Sequence, residues 1–190
     1  MARRRRSVHD RLALAAATLF TRQGYEATTV EQIAAEADVA LRSFYRYATS
    51  KAGAIGPSIE RNLFLILQEL GQTPPGVGLR AAVLQAVRHA VGDSQDSFGR
   101  FLATTLLTIP ELTPQWLEAN NRLQRGLVPE LPRHFLIEAG LEAEMVAAVV
   151  IAAVSTAVER AILSGESIDD LLKQTLMYVP DSLARASIPA

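Results

Sequence analysis

The chain has 190 residues, 49% of them hydrophobic, and a formal net charge of −1, which is enough apolar material for a buried core in one domain with a small appendage. It contains no cysteine, which excludes disulfides and thiolate-bound metals and suits a reducing compartment. The charge is unevenly placed: residues 1–55 hold nine Arg or Lys against five Asp or Glu, a net of +4, which leaves −5 for the rest. A basic end on an acidic body suits a polyanionic partner that meets only that end.

In chain order, the run Arg3–Arg6 comes first. No signal-peptide core follows it, since Leu12–Phe20 is mostly alanine and amphipathic, so a cytoplasmic location is expected. The run is either a solvated tail or an arm that follows phosphates or enters a minor groove, with Arg5 and Arg6 as its contacts. Val8–Gln23 carries apolar residues at Val8, Leu12, Ala15, Ala16, Leu19 and Phe20, a helical stripe that ends at Gly24. Thr28 and Thr29, with Glu31 and Gln32 three residues on, predict a capped helix over Val30–Ala37. Ala37, Asp38 and Val39 interrupt the pattern, and a second short helix follows over Ala40–Tyr47. An apolar short helix, a turn and a polar short helix make a helix-turn-helix, whose second helix can enter a major groove of DNA.

In that second helix Phe44 is expected to point inward on size and spacing. Arg42 and Arg46 are the candidates for base readout, because guanidinium matches guanine O6 and N7 bidentately; both can equally be exposed helix charges. Tyr45 and Tyr47 are either half-buried scaffold or donors to phosphate, and Ser43 bonds phosphate or its own backbone. Thr28 and Thr29 are caps first, and a capped helix start offers N–H groups to a phosphate.

The residues Gly24-Tyr25, Thr28-Thr29-Val30, Ile33-Ala34, Ala37-Asp38-Val39, Ser43-Phe44-Tyr45-Arg46-Tyr47 and Ser50-Lys51 together resemble the DNA-binding domain of the tetracycline-repressor (TetR) family of bacterial transcriptional regulators. The resemblance covers about a quarter of the chain. It implies an all-α protein with a three-helix DNA-binding head over residues 1–50 and a helical-bundle domain for ligand binding and dimerisation over 51–190. It also implies DNA contacts from Ala40, Leu41, Arg42, Ser43, Tyr45, Arg46 and Tyr47, and a backbone contact from Lys51. Three positions depart from the family pattern. Asp38 stands where glycine is usual, a change Asp tolerates in the left-handed region. Ala40 replaces a common capping serine. Ala48 replaces a bulky apolar residue, which is expected to loosen packing under the recognition helix.

After Lys51 the pattern becomes that of a helical body. Lys51–Leu70 has an apolar stripe weakened by Gly53, Gly56 and Pro57, so a kink or a fresh start is expected near Pro57. Gly71–Gly78 reads as a loop; its Gly76-Val77-Gly78 lacks the preceding buried strand that a dinucleotide site needs. Helices are expected over Leu79–Val91, Ser94–Ile109 and Trp116–Leu136, the last with breaks possible at Pro129 and Pro132. Met145–Val158 is apolar nearly all round, about fourteen residues, too short for a bilayer that needs roughly twenty. Such a helix must be covered on every side, and a second subunit is the expected cover. A clean stripe behind the capping box Ser167–Asp170 completes the expected homodimer surface of Met145, Val149, Ala152, Ala153, Thr156, Leu172, Leu176 and Val179, which is where the family dimerises.

Chemistry is sparse. Glu130, His134 and Glu138 share a helix face, but Pro132 interrupts it and the paired Glu-x-x-His of di-iron bundles is absent, so ion pairing is the expected role and no metal or other cofactor is expected. No nucleophile elbow or supported acid pair points to an enzyme. The family resemblance implies a small apolar effector among Phe64, Leu67, Leu84, Phe98, Phe101, Leu102, Leu106 and Trp116, with Arg88, Arg100 or Arg122 as anchors; core packing is the competing role for each apolar residue. The expectation is a ligand-released repressor that binds a palindromic operator as a dimer, with no membrane partner. The alternative is a helical ligand-binding or scaffold protein whose DNA head is degenerate, which Ala48 favours.

Overall fold

A computed structural model describes residues 7–91, 105 and 107–184, with backbone alone at 57–63 and 91. Its helices are α1 Val8–Gln23, α2 Val30–Glu36, α3 Leu41–Tyr47, α4 Gly56–Gly71, α5 Leu79–Val91, α6 Thr113–His134, α7 Leu141–Ser164 and α8 Ile168–Leu176, with single 3-10 turns at Ala52–Ala54 and Pro110–Leu112. No strand occurs among the described residues, only two isolated bridges. The chain divides into two compact units, Met1–Arg61 with Ser97–Leu117 and Asn62–Asp96 with Glu118–Ala190.

The first unit is built on the small apolar residues of α1. Leu12, Ala16, Leu19 and Phe20 meet Ile33 and Ala34 of α2 and Phe44 of α3 in one buried cluster. Ala48 belongs to it, 6% exposed, with its amide donating to the Phe44 carbonyl. The alanine therefore sits inside a closed core. Leu112, fully buried, completes that core from the turn Pro110–Leu112, with Ile109 and Trp116 packed against it. Trp116, expected in the effector site, thus belongs to the head: the turn that buries Leu112 carries its neighbour along.

The second unit gathers Leu79, Val83 and Val87 of α5, Leu123, Leu127 and Leu131 of α6, and the inward faces of α7 and α8. Pro129 and Pro132 do not break α6; Leu127 and Leu131 are each 1% exposed, and their burial offsets the lost amide bonds. The helix α4 starts afresh at Gly56, immediately before Pro57. The helix α7 overturns the expected length. It runs 24 residues and is, by length and composition, apolar enough to cross a membrane, because Leu141–Glu144 and Glu159–Ser164 extend the helix beyond the apolar run. Ala143, Ala147, Val150 and Ala157 on one face are buried in the body core.

A C-terminal strap closes this unit. Residues 182–184 lie between the loop before α5 and the segment after α6: the amides of Gly76 and Leu79 donate to the carbonyls of Ala184 and Ser182, the Leu136 amide donates to the Leu183 carbonyl, and the Ala184 amide donates to the Val77 carbonyl, at 2.8–3.1 Å. Arg80 reaches the same stretch, its Nε donating to the Val179 carbonyl at 2.7 Å. Gly78 is the paired residue opposite Leu183, and a Cβ there would lie 2.5 Å from Asp181 Oδ1.

Candidate nucleic-acid interface

The site is assembled from the caps outward. Thr29 Oγ1 accepts from the Gln32 amide at 3.2 Å and the Gln32 side chain accepts from the Thr29 amide at 2.9 Å, a complete capping box that starts α2. Gln23 donates to Gln32 Oε1 at 2.9 Å and ties the end of α1 to that box. Thr28 differs from the expectation: it is 1% exposed and its hydroxyl donates to the Gly24 carbonyl at 2.7 Å. Its side chain is spent on the α1–α2 connector and is removed from any phosphate.

The turn between α2 and α3 depends on Asp38, which has φ of 52° and is the one non-glycine residue with positive φ among those described. Its amide donates to the Ala35 carbonyl and that of Val39 to the Ala34 carbonyl, at 3.0 and 2.9 Å. Arg11 of α1 clamps the turn from the other side, Nη1 donating to the carbonyls of Ala37 and Asp38 at 3.0 and 3.1 Å. Sequence reasoning missed Arg11 because periodicity marks it only as a polar helix position; a contact 26 residues away to a carbonyl leaves no local signal.

The helix α3 has seven residues, about 10 Å at 1.5 Å per residue, and a B-form major groove about 12 Å wide admits it. Phe44 is its inward residue, fully buried. Leu41, Arg42, Tyr45 and Arg46 are exposed, and Ser43 and Tyr47 are half-buried. Ala40 sits at the N-cap in extended backbone and supplies no side-chain acceptor. Ala40→Ser therefore gives the helix its missing cap and should stabilise the first unit by about 1 kcal/mol; an unmoved urea midpoint for that unit contradicts this account of the helix start.

Lys51 is partly engaged within the fold. Its Nζ donates to the carbonyls of Tyr25 and Glu26 at 2.6 and 3.4 Å and lies 4.1 Å from the Tyr25 ring centroid. An ammonium has three N–H groups, so one is left for an outside acceptor. Burial raises the Tyr25 phenol above its ordinary pKa, and the carboxylates of Glu26 and Glu111 add to the shift. Tyr47 accepts a hydrogen bond from Arg46 Nη2 at 2.8 Å and meets the His9 ring edge-on. Arg5 and Arg6 lie outside the described residues.

The expected effector residues are only partly described. Leu67 and Leu84 pack half-buried against the body core, but Phe64 is 63% exposed. Arg88 points to α8, where it pairs with Asp169, and Lys173 holds the other oxygen of that carboxylate at 2.5 Å. Hydrogen bonds from Lys173 and Arg88 hold the Asp169 carboxyl below its ordinary pKa. This arginine links two helices. Phe98, Arg100, Phe101, Leu102 and Leu106 lie outside the described residues, and Arg122 bonds Glu118 at 2.8 Å on the surface. Glu130 pairs with His134 and Arg133. Of the expected subunit surface, Met145, Ala152 and Thr156 are exposed and Val149 is half-buried. Ala153, Leu172, Leu176 and Val179 turn inward at 7%, 1%, 2% and 0% exposure; α7 and α8 bury these faces against their own body, which leaves none of them for a second subunit.

Residues 13–53 match the family model described as bacterial regulatory proteins, tetR family. The HTH-type transcriptional regulator TcmR of Streptomyces glaucescens is 30% identical over 144 residues, 74% of this chain and 64% of that protein, so the chain spans just under two thirds of its relative. SmeT, the repressor of the Stenotrophomonas maltophilia multidrug efflux pump SmeDEF, has been solved with triclosan; that structure matches with a TM-score of 0.64 at 19% identity over 90% of this chain and 91% of its own. Salmonella enterica GusR matches with a TM-score of 0.60 at 17% identity over 90% and 95%. At those identities the likeness is one of fold, whereas the head carries the sequence match as well. With its helix-turn-helix formed as described and matched by that family model over residues 13–53, the head of this chain is of the type found in the tetR family of bacterial regulatory proteins.

Proposed function

We propose that this protein is a cytoplasmic, ligand-responsive transcriptional repressor that binds a palindromic operator as a homodimer. The observation that carries the reading is the outward face of α3: Arg42, Tyr45 and Arg46 are exposed together on a helix whose preceding turn is clamped by Arg11 and whose inner face is fixed by buried Phe44. Each subunit presents α3 to a major groove, and two-fold symmetry sets the half-sites one turn, about 34–36 Å, or a multiple apart. The buried Ala48 speaks against a degenerate head.

The subunit surface is proposed to be the outer stripe of α7, exposed Met145, Ala152 and Thr156 with half-buried Val149, together with Met177 and Tyr178 beyond α8 at 69% and 84% exposure. These two replace the inward-facing leucines and Val179. A small apolar effector is supported by the triclosan held by SmeT. An effector that prefers the body state in which the heads miss their half-sites shifts the dimer off DNA by its differential affinity.

The test is a titration across salt with a duplex selected from a random pool. Arg42→Ala is expected to relax preference at one base position by about 1–3 kcal/mol, whereas Lys51→Ala weakens all sequences alike and lowers the salt slope by about one. A wild-type protein that binds every duplex equally contradicts the repressor reading. Sedimentation as a lone subunit at micromolar concentration contradicts the dimer.

A further inference from the structure

Two exposed arginines lie on α3, and the structure treats them differently. Arg42 has no hydrogen bond, ion pair or ring contact among the described residues. Arg46 donates from Nη2 to Tyr47 Oη at 2.8 Å and its guanidinium carbon lies 4.7 Å from the Tyr47 ring centroid. Tyr47 is in turn held by α1: its ring meets that of His9 edge to face with centroids 4.9 Å apart. His9 Nδ1 is buried without a hydrogen-bond partner among the described residues, and the ring's contact with Tyr47 is one of edge-to-face packing.

Resting on the repressor reading above, we infer that Arg46 is the principal specificity-determining residue, reading a guanine edge, and that Tyr47 and His9 are positioning residues that aim it before DNA arrives. A guanidinium has five N–H groups, and the bond to Tyr47 uses one, which leaves enough for a bidentate pair to O6 and N7. Immobilising a free arginine on binding costs rotamer entropy; Arg42 meets that cost in full, while Arg46 has met most of it in the free protein. Discrimination depends on donors held where only the right base satisfies them, so the restrained arginine is the stricter reader.

The test uses the full chain and a duplex pool randomised at every position, with sites selected by wild type and re-measured for each variant. Tyr47→Phe keeps the ring and its packing on His9 and removes only the acceptor. It is expected to lower the ratio of selected-site to random-duplex affinity about three- to tenfold. The relaxed base position should coincide with that relaxed by Arg46→Ala and differ from that of Arg42→Ala. His9→Ala should relax the same position and His9→Phe, which restores a ring edge, should rescue it. Unchanged selectivity in Tyr47→Phe overturns the inference, as does an equal fall for selected and random duplexes, which makes Tyr47 a phosphate contact. A wild type that selects no sequence removes the repressor reading itself, an outcome distinct from either.

Discussion

Phe44→Ala is expected to abolish sequence-specific DNA binding by unfolding the head while the body stays folded. Phe44 has no exposed surface and is the largest side chain that α3 contributes to the first unit's core. Truncating such a residue costs about 3–5 kcal/mol, because the lost transfer free energy is joined by a cavity that the neighbours only partly fill. The cluster it belongs to is mostly alanine, Ala13, Ala16, Ala17, Ala34 and Ala48 among them, side chains too short to collapse into a gap. A unit of this size holds only a few kcal/mol of net stability, at roughly 0.05–0.15 kcal/mol per residue. Amide hydrogen exchange separates the two units: α1 to α3 should lose protection while α5 to α8 keep theirs. Retained protection in α3 together with retained binding refutes the assignment of Phe44 as the head's keystone.

Ending the chain at Pro180 is the second large effect. It removes the four backbone hydrogen bonds that residues 182–184 make to the Gly76–Leu79 stretch and to Leu136, and it uncovers the site of buried Ala184. At about 0.5–1.5 kcal/mol each, with the penalty for partners left unpaired, the body should lose roughly 2–6 kcal/mol. The urea midpoint of the second unit should fall by the corresponding amount, with the head's midpoint unmoved. A body equally stable without these residues makes the strap an ornament.

Much of the head is legible in the sequence because its signals are local. The stripe from Val8 to Phe20, the Thr29–Gln32 box and the inward Phe44 are each set by neighbours within four residues, and the structure repeats them. Asp38 was legible too, since few side chains tolerate its positive φ. What periodicity does not encode is which partner a face meets. The stripe of α8 is clean, yet it cannot reveal whether Leu172 and Leu176 face their own body or another subunit; they face their own body. Trp116 reads as a body aromatic until Leu112 is seen inside the head. Arg88 reads as a pocket anchor until Asp169, 81 residues on, is found beside it. The clamp by Arg11 and the restraint of Arg46 by Tyr47 are likewise contacts between side chains and groups whose meeting only the fold arranges.

The strap also bears on the order in which the units form. Its bonds to the Gly76–Leu79 stretch join residues 103 to 108 apart, from Leu79–Ser182 to Gly76–Ala184, whereas α1 to α3 meet within 40, from Val8 to Tyr47. Closing so long a loop costs entropy before any bond repays it, so the latch belongs late on the folding route, after the transition state. Its loss then speeds unfolding and leaves the folding rate nearly unchanged, which makes residues 182–184 a determinant of how long the folded body survives.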